Sequence, residues 1–240
     1  MNRKFLFFIV IGLVMLVNIQ AQVYRKEFNV PDINGFKTLK CDFHIHTIFS
    51  DGYVWPTVRV QEAWMEGLDA IAFTEHIEYR PFIKDVISDH NRAFEIAREL
   101  GQRSDLIVIR GTEITRRKPM GHLNAIFTTD NNAIEIKDSV KALTVANQQK
   151  AFVFWNHPND HYGKWSAVQD DFYEKGLFQG IEVVNSNTYY PDAQQWCMDK
   201  NLTMMGTSDV HDPITFDYDL SRNGHRTITL VLQKNGLRKA

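Results

Sequence analysis

Cysteine is scarce, with 2 in 240 residues, and neither Cys41 nor Cys197 has a Cys-x-x-Cys partner or an adjacent histidine. Thiol redox chemistry and a cysteine nucleophile therefore lack support, and each thiol is expected to be a small core residue. Gly-x-Ser-x-Gly is missing as well, which removes the serine nucleophile elbow. Neither sign of charge dominates: Lys+Arg 27 against Asp+Glu 29 leaves a net charge of −2. That balance lacks the positive excess with which duplex-binding proteins displace counterions, so no stable nucleic-acid complex is expected. With 7 Pro and 13 Gly the chain has no Pro/Ser linker, low-complexity tract or repeat. At 44% hydrophobic and 23% charged residues the composition is globular, and the length suits one domain.

Long apolar runs are missing too, except at the N-terminus. Arg3 and Lys4 precede Phe5 to Val17, and Ala21 follows a polar stretch. Basic n-region, short apolar h-region and small residue read as a secretory signal peptide over 1–21, followed by a domain over 22–240. The run is short for a ~30 Å hydrocarbon core, so no membrane span is expected after cleavage, with an uncleaved anchor as the alternative. Export to a periplasmic or extracellular location is the expectation. No lipobox ends the segment.

Short stretches rich in Val, Ile and Phe alternate with helix-period stretches. Leu39–Ile45, Ala70–Thr74, Leu106–Ile114, His122–Phe127, Ala151–Asn156, Gly180–Val184, Leu202–Thr207 and Thr227–Leu232 read as strands. Thr57–Met65 sits between Pro56 and Gly67, and His90–Leu100 stops at Gly101, as helix start and stop chemistry requires. Ser139–Gln149 and Asp192–Lys200 are the later helices. This alternation predicts parallel strands with crossover helices, as a barrel or a doubly wound sheet. The polar tail from Gln233 to Ala240 carries no closing helix, which predicts a C-terminally shortened last layer.

The chain has 9 histidines, and acidic and histidine residues recur where strands end. His44 and His46 are two apart in a strand and share a face, so both imidazoles can reach one ion. Asp51 follows in Ser50-Asp51-Gly52, His76 ends Thr74-Glu75-His76, Glu113 ends Gly111-Thr112-Glu113, and His122 opens the fourth strand. His157 stands in Asn156-His157-Pro158, and Asp209 and His211 in Ser208-Asp209-Val210-His211. In parallel β/α folds the loops at the carboxyl ends of the strands form one face, where residues distant in sequence converge. Imidazole and carboxylate donors without thiolate suit Zn, Mn or Fe, and a shared Glu113 can bridge two ions. Clustered divalent ions polarise phosphoryl oxygens and activate water, which predicts direct hydrolysis without a covalent intermediate.

In this order, the motifs resemble the polymerase and histidinol phosphatase (PHP) superfamily of metal-dependent phosphoesterases, over about residues 38 to 212, and most of all its secreted phosphodiesterase-like members. The resemblance implies a distorted seven-stranded (β/α) barrel, TIM-like, with two to three divalent ions (Mn, Zn or Fe). It implies one ion at His44, His46, Glu113 and Asp209, a second sharing Glu113 with His122 and His157, and a third at Asp51, His76 and His211. The expected substrate is a small phosphodiester or phosphomonoester; the alternatives are an oligonucleotide exonuclease, an amidohydrolase-type metal hydrolase and a non-catalytic metal binder. The sequence leaves the oligomeric state undefined.

Glu113 and Asp209 are expected to act in catalysis as well as to bind metal, and outside the ligands His161 is expected to protonate the leaving group and Arg80 to grip a nonbridging oxygen. Arg116 and Arg117 are further phosphate candidates, while Asn156, Trp165, Tyr79 and His225 are weaker candidates for the pocket. His90 and Glu75 read as structural.

Overall fold

β1 (Phe36–Ile45) is buried along almost its whole length, as a strand covered on both faces must be. It lies beside β2 (Ala70–Phe73) in a nine-stranded sheet that continues through β3 (Ile107–Thr115), β4 (His122–Ile126), β5 (Phe152–Trp155), β6 (Gly180–Asn185) and β7 (Thr188–Tyr189). β8 (Thr203–Thr207) pairs in parallel with β6, and β9 (Thr229–Lys234) pairs with the free side of β1. The structure is a computed structural model and describes residues 24–158, 164–222 and 224–234. The signal-peptide reading over 1–21, the His161 assignment and the tail from 235 lie outside the described residues.

Helices cover the outside: α1 (Pro56–Met65), α2 (Arg92–Arg103), α3 (Ser139–Gln148), α4 (Ala167–Glu174), α5 (Pro191–Lys200) and the short α6 (Ile214–Asp217). Their ends follow local chemistry. Pro56 and Pro191 occupy first-turn positions where no backbone N–H is needed. Ser166 and Gln169 form a reciprocal capping box on α4, a helix the sequence reading missed. α1 stops at Gly67, which has φ +84° and whose absent Cβ would lie 2.2 Å from the Lys26 carbonyl oxygen. A side chain there would meet both a forbidden backbone region and a backbone atom. Among the described residues no helix is long and apolar enough to cross a membrane.

The sheet is mixed and curled, which is compatible with a TIM-like barrel but differs from the expected run of regular β/α units. β4 runs antiparallel to β3 and to β5, and β9 runs antiparallel to β1. The cause is connection length: a parallel neighbour needs a crossover of a dozen or more residues, and only 116–121 separate β3 from β4. Reversal has a functional consequence. Because Thr115 pairs with His122, the start of β4 lies at the same edge as the end of β3, so His122 reaches the carboxyl-end face although it opens its strand.

Curling brings the segment after β8 onto the end of β1. The Asp209 N–H donates to the His44 carbonyl at 2.9 Å and the His46 N–H to the Val210 carbonyl at 3.1 Å. Inside the curl, Leu39, Cys41 and Phe43 pack with Ala72, Ile109, Phe154 and Met205. Ile45 faces the other way, into Val60, Ala63, Leu68, Ala97 and Val210. Between them β1 carries one extra residue relative to β2, since Asp42 pairs with Ile71 and Ile45 with Phe73. Such a bulge re-phases the alternation of side chains and is how strands re-aim residues beside a site. Cys41 and Cys197 are buried free thiols, as expected.

Candidate metal centre

The re-phased end of β1 points His44 and His46 at Glu113, which β3 delivers from the far side of β2. All three are fully buried. Glu113 Oε2 lies 3.3 Å from His44 Nε2, 3.2 Å from His46 Nε2 and 3.0 Å from His76 Nδ1. Its Oε1 lies 2.8 Å from His122 Nδ1 and 3.9 Å from His157 Nε2. Opposite stands Asp209, whose Oδ1 is 3.1 Å from His44 Nε2 and 3.2 Å from His46 Nε2, and whose Oδ2 is 3.8 Å from His157 Nε2. Asp51 completes the arrangement, with Oδ1 3.2 Å from His211 Nε2 and Oδ2 3.4 Å from His76 Nε2. The structure thus brings together every residue that the motifs singled out as a ligand.

Ligand atoms within 4.8 Å of one another form overlapping groups: His46, Asp51, His76 and His211; His44, His157 and Asp209; His44, His46 and Glu113; His76, Glu113 and His122. His76 therefore stands between the Asp51 side and the Glu113 side, and His157 comes within that distance of His44 and Asp209 while also facing, with His122, the Oε1 of Glu113. Stacking of the His46 ring on His76 and His211, with centroids 4.5 and 4.3 Å apart, keeps this half of the cluster tight.

The donor set fits divalent cations. His44 Nε2 and His46 Nε2 face each other at 3.1 Å, while His44 Nδ1 is bound to a carboxylate and His46 Nδ1 lies 3.2 Å from the Ser50 hydroxyl. Two imidazole lone pairs at that separation repel unless a proton or a cation lies between them. Glu113 Oε1 and Asp51 Oδ1 are buried and accept no well-formed hydrogen bond, despite nearby imidazole nitrogens. Buried carboxylate oxygens without a well-formed hydrogen bond, set beside imidazole nitrogens, are donors of the kind a divalent cation takes.

Electrostatics point the same way. Burial disfavours a charged His44 ring, but Asp209, Glu182 and Glu113 outweigh it and lift its pKa well above 6.5. Burial likewise opposes charge on His76, yet Glu113 and Asp51 raise it from 6.5 to about 10. Against the burial that would raise them, the carboxyls of Glu113, Asp209 and Asp51 are held far below their usual range by the facing histidines. A cation entering the site must displace protons from these rings.

The supporting contacts were largely invisible in the sequence. Glu75, expected to be structural, accepts from the Thr47 N–H and hydroxyl and from the Ser50 hydroxyl, fastening the loop that carries Asp51. Gly52 allows that loop to close, because a Cβ there would lie 2.7 Å from the His46 carbonyl carbon. Arg59 of α1, fully buried, donates to the carbonyls of His46, Val210, His211 and Asp212, and so ties the ends of β1 and β8 together. Glu182, the carboxylate on His44, is a charged residue flanked by Ile181 and Val183, and that interruption of an apolar strand was the signal available for it.

The substrate-binding assignments need correction. Arg80 does not face the cluster: its guanidinium donates to the Ser88 hydroxyl at 2.6 Å and lies 3.7 Å from Glu135, so it braces the 80–88 loop. Arg116 pairs with Glu78 and donates to the Ile136 carbonyl and the Ser139 hydroxyl. Arg117 is exposed and shares a recess of about 380 Å³ with Arg116, Lys118, Gly121 and His122, which sets it beside one of the candidate ligands. Asn156 pairs with Asn124 inside the sheet, and Trp165 packs on Trp155, Trp196 and Phe178 in the outer core. Tyr79 stands edge-on to His76 with centroids 6.0 Å apart. His90 contacts Glu135, and His225 lies against Phe28, both away from the cluster.

No protein-family model matches the chain. Over 81 residues, which are 34% of this chain and 36% of the other, it is 36% identical to an uncharacterized protein of Methanocaldococcus jannaschii. Among solved structures, a Bacteroides vulgatus two-domain protein containing a predicted PHP-like metal-dependent phosphoesterase is 53% identical, with a TM-score of 0.86 across 88% of this chain and 63% of its own. The chain thus spans less than two thirds of the length of either relative. A proposed metal-dependent phosphoesterase of Bifidobacterium adolescentis (17% identity, TM-score 0.53, covering 71% of this chain and 87% of its own) shares the fold. So does an amidohydrolase of Chromobacterium violaceum with bound sulfate (13%, 0.57, 72% and 88%). The ordered histidine and carboxylate motifs, the geometry at which they meet and 53% identity over 88% of its length make this chain similar to a protein containing a predicted PHP-like metal-dependent phosphoesterase.

Proposed function

We propose that the protein is an exported, metal-dependent phosphoesterase that hydrolyses small organic phosphodiesters or phosphomonoesters. The observation that carries this reading is Glu113, a fully buried carboxylate whose two oxygens face five imidazoles while Asp209 and Asp51 close the other sides. Divalent cations (Mn, Zn or Fe) held there supply Lewis acidity at a phosphoryl oxygen and activated water. The chain's own contribution is placement. His44, His46, Glu113 and Asp209 would hold one ion, Glu113 with His122 and His157 a second, and Asp51, His76 and His211 a third. The buried wall at Glu113 excludes bulk water, and Arg117, beside His122, is placed to take a nonbridging phosphate oxygen. Its N-terminal run of basic then apolar residues supports export.

The test is elemental analysis of the purified protein, with p-nitrophenyl phosphate and bis-p-nitrophenyl phosphate assayed on the same sample. Two to three Mn, Zn or Fe per chain and chelator-sensitive release from the diester are expected. Preference for the monoester moves the substrate to phosphomonoesters, and stoichiometric metal with neither activity removes the phosphoesterase reading.

Metal removal should also reshape the pH dependence of stability. His76, raised from 6.5 to about 10, contributes stability that is complete below pH 6.5 and lost as pH rises through about 10. The lowered Asp51 contributes above its ordinary value of 3.8 and loses that contribution as the medium becomes more acid. Metal-free protein is therefore expected to melt highest between those ordinary values, 3.8 and 6.5, and progressively lower towards pH 9. Added Mn2+ should raise Tm more at pH 8.5 than at pH 6, because fewer protons compete for the rings. Calorimetric scans across this range check it; equal Mn2+ shifts at both pH values would contradict the proton competition.

A further inference from the structure

We propose that Glu182 is a positioning residue that holds three ligand-bearing segments in register for the cation; the inference rests on the metal reading above. Glu182 sits in β6 between Ile181 and Val183 and is fully buried. A carboxylate in such surroundings persists only if its oxygens are well paired. Here both are. Oε1 accepts from His44 Nδ1 at 2.7 Å and from the Thr207 hydroxyl at 2.6 Å. Oε2 accepts from the His157 N–H at 2.6 Å and from Asn185 Nδ2 at 2.9 Å.

What separates this from ordinary core satisfaction is the identity of the donors. With Nδ1 held by Glu182, His44 directs Nε2 at the space between Glu113 and Asp209, so Nε2 is the nitrogen whose proton a cation would displace. His157 has φ 26°, a backbone region that residues with a side chain avoid, and its N–H is the group Glu182 holds. Asn185 Nδ2 also lies 3.3 Å from Asp209 Oδ2, and Asp209 too has positive φ, at 53°. One carboxylate therefore sets the tautomer of one ligand, pins the strained backbone of a second and, through Asn185, steadies a third. Glu182 touches none of the reacting space and acts through these residues.

Glu182→Gln keeps the shape but turns one oxygen into an NH2 that confronts a donor. The metal-free wild type, Glu182→Gln and Asn185→Ala are titrated with Mn2+ by calorimetry, and 15N imidazole shifts report the His44 tautomer. Expected are a 10- to 100-fold weaker Mn2+ affinity in Glu182→Gln, of the size seen when groups that orient ligands are lost, and a mixed His44 tautomer. A smaller loss is expected in Asn185→Ala, with the metal-free melting temperature close to wild type. Should Glu182→Gln fail to fold, Asn185→Ala decides. Wild-type affinity in the folded variants, or an unchanged tautomer, overturns the positioning role alone. A wild type that binds no Mn2+ overturns the metal reading and this inference with it.

Discussion

Changing Glu113 to Gln is expected to lower kcat/KM by at least about 10³-fold, equivalent to roughly 4 kcal/mol of transition-state stabilisation, and to strip the centre of most of its metal. The size follows from position. Among the described residues, Glu113 lies within 4 Å of His44, His46, His76, His122 and His157, so it joins the two halves of the cluster. An amide of the same volume keeps the packing but loses the negative charge and points two hydrogens at imidazole nitrogens. Neither change can be relieved by rotation, because both oxygens face rings. The polypeptide should still fold, since Ile114 beside it and the β3 pairings are untouched. Asp209→Ala and His44→Ala are expected to behave alike. Elemental analysis alongside diester hydrolysis measures it; full metal content with wild-type turnover in Glu113→Gln would sink the assignment of the centre.

The largest stability effect is expected at a residue outside the ligand motifs, Arg226. Its fully buried guanidinium lies between two buried carboxylates: Nη1 donates to Asp42 Oδ2 at 3.1 Å, and Nε and Nη2 donate to Glu66. Replacing one member of such a set leaves uncompensated charge in the interior, which costs about 3–5 kcal/mol. Arg226→Met should therefore lower the urea midpoint by that amount divided by the denaturant slope. It should also reach the site, because Asp42 accepts from the Ser208 N–H at 3.1 Å and from its hydroxyl at 2.5 Å, immediately before Asp209. Adding Asp42→Asn and Glu66→Gln to Arg226→Met should recover part of the loss, since the stranded charges are gone. A variant within about 1 kcal/mol of wild type would show that the network carries no net stability.

These two residues mark the limit of what could be read in advance. Glu113, His44, His46, His157 and Asp209 stood out because each ends or follows an apolar stretch, and strand ends in a β/α fold meet on one face. Their grouping around particular ions was not legible, since His76 reaches both halves of the cluster only once the loop carrying Asp51 folds over it. Arg80 misled because its offset from His76 says nothing about direction; the 80–88 loop turns its guanidinium to Ser88. Asn156 misled in the same way, being next to a ligand in sequence but turned into the sheet, and Trp165, further along the chain, packs into the outer core.

Local pattern was sufficient for most strands and for α1, α2, α3 and α5, because periodicity and capping act between residues a few positions apart, while α4, α6 and β7 went unread. Strand direction depended on connection length, and β4 reversed where a parallel order was expected. The partners that orient the ligands lie 138 residues apart for Glu182 with His44, and 184 for Arg226 with Asp42. No spacing rule spans such distances. Those contacts exist because the sheet curls until β6 and the segment before β9 lie beside β1, and burial then forces each charged group to find a partner there.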